Sequence, residues 1–371
     1  MVRSKYLHCI KTLDFTYHLC YFCLKRNFPN LKQVNKKTTS TCFICQGIFY
    51  KIDEVVKRLY YIVTNQEKYE YHSFSIGTSL PYYMFDKEDY LRSLYKLKDI
   101  ENIKSSFNYE IRKAFKSITK KKLNLINPDI KIDIVICNNH DYSIKTISRS
   151  FYLIGRYKKT KLLTQREKKD LENYPNDNSY FVRQKKQSIE SIIQKGLSNY
   201  IESDRMIFSW SGSEDDNSQV LGKGRVFYIH LLNPRQRKIK LNKIFGHNGL
   251  SFKIIQKKDS LEHINSNFRV KNKIFIKTAN PINNINLRKL IELKNFRVRY
   301  YYKSKIIQKQ IYNIKFKKID PVHLIIILEC DSGLFLRQFI EGKTFIDPNI
   351  SLKLNNQCEC LKFDILNISS I

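Results

Sequence analysis

Apolar residues recur at helical spacing along "IENIKSSFNYEIRKAFKSI", where Ile103, Phe107, Ile111, Phe115 and Ile118 fall on one stripe. The spacing predicts an amphipathic helix whose phenylalanines face a core rather than stack on bases. Upstream, "YHSFSIGTSLP" (71–81) reads as a strand closed by proline. Downstream, Ile130, Ile132, Ile134 and Ile136 recur with the two-residue period of a strand with one buried face, and "SFYLIGRYKK" (150–159) reads as another. A helix followed by strands predicts an α/β unit.

The pattern then lapses. From Lys158 to Lys186 the chain is polar and charge-rich, as a connection between domains would be, and its bases suit either a solvated linker or a track for a phosphate backbone. Beyond it, Ile189, Ile192, Ile193, Leu197 and Ile201 share one helical face. The remainder reads mainly as strands: "RMIFSWSG", "GRVFYIHLLNP", "KIFIKTA", "RVRYYYK", "HLIIILEC" and "LKFDILNI". This predicts an α+β protein with a first domain over 1–157, a connection over 158–186 and a second domain over 187–371.

Composition sharpens the picture. The 371 residues carry 67 Lys and Arg against 34 Asp and Glu, a net charge of +33 that exceeds what solubility needs and points to a polyanionic partner, nucleic acid first. Drift in an AT-rich genome accounts for abundant lysine but not for so few acids. The longest strongly apolar run, "LIIILEC", is far short of the roughly 20 residues a membrane helix needs. A soluble intracellular protein, nuclear or cytoplasmic, is expected.

The odd count of nine cysteines rules out complete internal pairing. Four form two Cys-x-x-Cys knuckles, Cys20 with Cys23 and Cys42 with Cys45, the arrangement that closes a tetrahedral shell around a structural zinc. Two redox or buried pairs are the other reading. Cys9, Cys137, Cys330, Cys358 and Cys360 have no partner at such spacing and read as bystanders.

One stretch runs against the charge of the rest. "SGSEDDNSQVLGKGRVF" places Glu214, Asp215 and Asp216 between an apolar run and a glycine-bracketed basic turn. A carboxylate on a loop leaving a strand suits chemistry, and equally suits capping of its own backbone.

The segment "SGSEDDNSQVLGKGRVFYIHLLNPRQR" resembles the active-site region of the archaeal and eukaryotic tRNA pseudouridine-55 synthases that carry an N-terminal zinc-and-THUMP domain. Gly212, Glu214, Asp215, Leu221, Gly222, Gly224, Arg225, Phe227, Asn233 and Pro234 match, and the family's catalytic aspartate falls on Asp215. The cysteine knuckles resemble its zinc pairs, "IKSSFNYEIRKAF…NPDIKIDIVI" its accessory RNA-binding domain, and "SGLFLRQFIEGKTF" its C-terminal motif.

The resemblance implies a zinc-ribbon and THUMP-like α/β domain ahead of a catalytic domain built on a mixed, mainly antiparallel sheet. It implies isomerisation of uridine to pseudouridine in the T-arm of tRNA, at position 55 or 54, with Asp215 as nucleophile. No organic cofactor, membrane or obligate protein partner is implied. Arg337 would keep Asp215 charged, and Phe275 and Phe335 would sandwich the uracil. Departures accompany the match: Ser213 replaces an arginine, and Phe275 and Phe335 stand where the family has tyrosines. A tRNA-binding protein that lost activity, and a zinc-containing structural RNA-binding protein, are the alternatives.

Overall fold

The computed structural model describes residues 17–28, 42–139, 141–166, 187–212, 218–261, 268–302, 305–342 and 345–370. Packing divides the chain into two units, Met1–Arg149 with Asn233–Lys238, and Ser150–Leu232 with Ile239–Ile371.

The first unit holds helices α1 (Tyr21–Asn27), α2 (Ile52–Tyr61), α3 (Tyr82–Leu94) and α4 (Ile103–Thr119). Its strands are β1 (Ser73–Ser79), β2 (Lys122–Leu123), β3 (Ile130–Ile136) and β4 (Tyr142–Ser148), in the order β2-β1-β3-β4. β1 lies parallel to β2 and β3, and β4 is antiparallel to β3. The α4 helix starts where Asn102 Oδ1 accepts the Ser105 N–H at 2.8 Å, and ends where Lys120 turns left-handed. Ile103, Phe107, Ile111 and Phe115 are fully buried, and Phe115 meets Phe74 of β1 edge to face at 4.9 Å. Ile118, on the same stripe but in the last turn, is 47% exposed, so the predicted core face ends one turn early.

Asn233–Lys238 is held in this unit by polar contacts. Asn233 adopts φ 49°, and its Oδ1 accepts from Ser148 N–H at 2.7 Å and Tyr69 O–H at 2.9 Å. Glu70 accepts the N–H groups of Arg237 and Lys238, and Arg235 and Arg237 pair with Glu67 and Asp129. Burial opposes the charge on both carboxyls, but the Arg237 and Lys238 N–H groups at Glu70, and the His72 and Ser73 N–H groups with Arg237 and Arg149 at Asp129, outweigh it and hold both below their usual range.

The second unit begins with β5 (Phe151–Lys159), so the expected boundary at 157 falls inside a strand. The alternation of "SFYLIGRYKK" identifies a strand without saying which sheet takes it. Here β5 pairs with two strands of the second unit, and Phe151, Leu153 and Tyr157 enter that unit's core. Its other strands are β6 (Arg205–Trp210), β7 (Val220–Leu232), β8 (Ile244–His247), β9 (Leu250–Lys258), β10 (Phe268–Thr278), β11 (Arg297–Tyr302), β12 (Lys305–Lys318), β13 (His323–Asp331), β14 (Ile346–Asp347) and β15 (Cys358–Ser370). They form one sheet in the order β14-β11-β12-β13-β10-β15-β7-β5-β9-β8, with β6 on β7. Every pairing is antiparallel except β15 with β7.

Helix α5 (Ile189–Ser198), opened by a Ser188–Ser191 capping box, buries Ile189, Ile193 and Leu197 in a core with β5, β7 and β9. The short helices α6 (Asn284–Lys289), α7 (Leu336–Glu341) and α8 (Ile350–Leu354) cover a second core with β10 to β13. Arg156 secures the parallel step, donating to Gly224 O at 3.0 Å on β7 and to Ile368 O at 2.8 Å on β15. The fold is α+β, with a mixed, mainly antiparallel sheet in its larger unit.

Candidate active site and metal centre

Asp215 lies outside the described residues, with Ser213, Glu214, Asp216 and Asn217. What is described is the pair of roots from which their turn springs. At the first root Gly212 takes φ +90°, a conformation that favours glycine, and Ser211 Oγ donates to Val226 O at 2.9 Å. Arg225 Nη2 donates to the carbonyls of Ser211, at 3.0 Å, and Gly212, and Gln165 Nε2 reaches Gly212 O at 3.3 Å. At the second root Gln219 N–H donates to Asp364 Oδ1 at 3.2 Å, Ile365 N–H donates to Gln219 O at 2.9 Å, and Gln219 Nε2 donates to Thr160 O at 2.9 Å.

Beneath these roots lie two cations taken almost wholly out of water, Arg225 at 1% and Lys159 at 0% exposure. Lys159 Nζ donates to Leu163 O at 2.8 Å. Removing a cation from water costs several kcal/mol, so two of them on adjacent strands require negative charge or carbonyl dipoles close by. The carbonyls of Leu163, Ser211 and Gly212 answer that need. Sequence reasoning missed Lys159, although a signal is there. Phe151, Leu153, Tyr157 and Lys159 occupy alternate positions, so the lysine continues an apolar face.

Phe275 projects from β10 on the face opposite Ile274 and Ile276, which fill the second core. Lys273 Nζ and Lys362 Nζ lie 5.0 and 4.7 Å from its ring centroid, and Lys362 is its register partner on β15. The half-buried ring thus carries positive charge around it, as a phosphate-bearing ligand would require. Arg337, on α7, donates to Cys360 O at 2.9 Å, and Cys360 is the register partner of Ile276. Arg337 is therefore tied to the β10–β15 pair that carries Phe275. Phe335 sits just before α7, packed on the second core with Tyr300 at 5.4 Å, and the Tyr300 hydroxyl is fixed to Gly333 O at 2.7 Å.

In the first unit, Cys20, Cys23, Cys42 and Cys45 bring four sulfurs within 4.8 Å of one another, all buried. Sulfurs placed about 2.3 Å from a zinc ion form a tetrahedron with edges of about 3.8 Å, so the cluster has the size a four-thiolate shell needs. Hydrogen bonds among the four sulfurs favour the thiolate at Cys20 and Cys42 and raise Cys23 and Cys45. Arg26 Nη2 lies 3.8 Å from Cys23 Sγ and pairs with buried Glu88, which also accepts the Ile103 N–H at 2.9 Å and meets Arg92 at 3.2 Å. Burial works against the Arg26 charge, but the neighbouring Cys23 sulfur and Glu88 outweigh it and raise its pKa. Hydrogen bonding from Cys20 and then Cys23 and Cys45 lowers the Cys42 thiol.

Among the other cysteines, burial pushes Cys330 up to about 12, and Cys358 is raised in the same way. Both are buried. Cys137 lies one residue past β3 and is exposed, and Cys9 falls outside the described residues. No helix among the described residues is long and apolar enough to cross a membrane.

Residues 152–369 match the family model described as "Pus10, C-terminal", and residues 60–135 match "Pus10 THUMP domain, archaeal". Proteins named tRNA pseudouridine synthase Pus10 align along nearly the whole chain. The one from Nitrosopumilus maritimus is 30% identical and covers 95% of both chains. That from Methanosphaera stadtmanae is 23% identical over 95% of this chain and 96% of its own. That from Pyrococcus furiosus is 22% identical over 95% of each.

Proposed function

Because this chain belongs to the Pus10 family of tRNA pseudouridine synthases, we propose that it isomerises uridine to pseudouridine in the T-arm of tRNA, at position 55 or 54. Asp215 is the nucleophile in this reading. The observation that carries it is the pair of buried cations, Arg225 and Lys159, at the roots of the turn that bears this carboxylate. Positive charge in a desolvated site keeps an acid ionised against the upward shift that burial alone would cause.

A stacked uridine must first leave the helix, at a cost of roughly a few kcal/mol, and lysines over the sheet return that energy through phosphate contacts. Asp215 then attacks the nucleoside, the freed uracil rotates, and it rejoins the ribose through carbon. Phe275 offers a ring face to the base, and Phe335 a second apolar wall. Phe275 has no hydroxyl, so water or another group takes the proton from carbon. Arg337 supports the Asp215 charge. The cysteine cluster holds a structural zinc that stabilises the first unit, and the protein works inside the cell, where tRNA is.

Mapping pseudouridine in an unmodified tRNA transcript after incubation with the purified protein tests the assignment. Asp215→Asn is expected to abolish the product while tRNA binding stays within a few-fold, and Asp216→Asn to leave turnover measurable. The missing hydroxyl at Phe275 and the serine at position 213 favour a second reading, a tRNA-binding protein without activity. Normal binding with no product in a single-turnover assay would establish it.

A further inference from the structure

A groove of about 580 Å³ opens on the second unit across β7, β5 and β9. Its walls carry four cations, Arg156, Lys158, Lys223 and Lys253, and no acid, while Ile244 and Ile255 supply an apolar floor. Arg156 and Lys253 are direct register partners across the β5–β9 pair. Like charges placed opposite one another destabilise a sheet, so this pairing is a cost unless an anion lies between them.

The backbone is also shaped to present one of these charges. Lys223 is exposed between Gly222 and Gly224, which take φ +56° and +77°. A Cβ on Gly222 would come within 2.4 Å of Leu366 O, and one on Gly224 within 2.5 Å of Tyr157 O. Both positions demand glycine in a chain that has only 11, so genome drift towards lysine does not account for this feature. Arg156 is fixed by its bonds to Gly224 O and Ile368 O. Among the described residues, no carboxylate pairs with Lys158, Lys223 or Lys253.

We propose that this groove binds the sugar–phosphate backbone of the RNA strand next to the target nucleotide. Neighbouring strands lie about 4.8 Å apart, so cations on three of them span about 10 Å, enough for about two successive phosphates of one strand. The apolar floor suits ribose. The groove's Gly-Lys-Gly rim follows directly from the second root of the acidic turn, so a strand gripped here is delivered to that turn. The inference rests on the tRNA reading above, to which it adds a location for the backbone.

The test compares tRNA binding, at several salt concentrations, by the full chain and two triple variants that remove equal charge. One is Lys158→Gln/Lys223→Gln/Lys253→Gln. The control, Arg288→Gln/Lys289→Gln/Lys294→Gln, removes exposed cations from α6 and the residues after it. Each phosphate that is no longer neutralised lowers the slope of log K against log salt by about 0.7 to 0.9. The groove variant should lose about two units of slope and at least tenfold in affinity at ~0.15 M salt, with the control near wild type. If the groove variant binds like the control while wild type still modifies tRNA, the groove assignment is overturned and the tRNA reading survives. If wild type does not bind tRNA, both fall. Displacement of tRNA by polyglutamate from wild type but not from the groove variant would assign the groove to an acidic protein instead.

Discussion

Arg225 donates through Nη2 to the Ser211 carbonyl at 3.0 Å, tying the middle of one strand to the start of the acidic turn. Its side chain shares a face with Phe227, Ile229 and Leu231, an unusual place for a guanidinium. Arg225→Lys keeps the charge but cannot reach both the Ser211 and Gly212 carbonyls with a planar fork. It should cost about 1.5–3 kcal/mol of stability and lower turnover more than tRNA affinity. Urea unfolding and single-turnover kinetics check this, and unchanged values in both would remove Arg225 from the site.

Phe275 separates a platform from a proton relay. Phe275→Ala should weaken the productive complex by about 1–3 kcal/mol if a base stacks on the ring. Phe275→Tyr restores the family's hydroxyl and is expected to preserve or raise the single-turnover rate. A rate unaffected by Phe275→Ala would return the residue to simple packing.

The metal reading predicts one zinc per chain, retained through dialysis and lost in Cys42→Ser together with the folding of the first unit. Glu88→Gln reaches the same centre indirectly, because it leaves Arg26 without its buried carboxylate beside Cys23. Removing one partner of a buried pair costs about 3–5 kcal/mol, so the variant should melt earlier and release zinc to a chelator faster. Elemental analysis and chelator-release rates decide it.

Acid stability should follow Asp129 and Glu70, whose carboxyls are held below their ordinary values in the fold. A carboxyl lowered by folding contributes stability above its unfolded pKa, and that contribution is lost as pH falls through the folded value. Melting temperature of the first unit should therefore drop below about pH 4. Asp129→Asn should melt lower at pH 7 and show a flatter decline, and equal slopes for both proteins would contradict the assignment.

Periodicity revealed the elements but not their sheets. The alternation in Ile130 to Ile136 and the stripe on α4 were legible because each element has one buried face. The alternation through Phe151 to Lys159 was equally clear, yet strand pairing is non-local, so the neighbours of β5 were not. The cysteine knuckles were legible because one ion needs four sulfurs. Asp364 was not, since its hydrogen-bond partner Gln219 lies far away in the chain. Asn233 shows the converse, a motif visible in sequence whose task, a left-handed corner capped by Ser148 and Tyr69, appears only in the fold.

The parallel pairing of β15 with β7 also sets a schedule. Gln219, at the second root of the acidic turn, is fastened by Asp364 and Ile365, which the ribosome adds long after the turn itself. The first unit can fold while synthesis continues, because domains fold as units from the N-terminus. This root cannot be fastened until β15 has emerged. A nascent chain can therefore bring its four cysteines together before it can fasten Gln219, which waits for synthesis to reach β15.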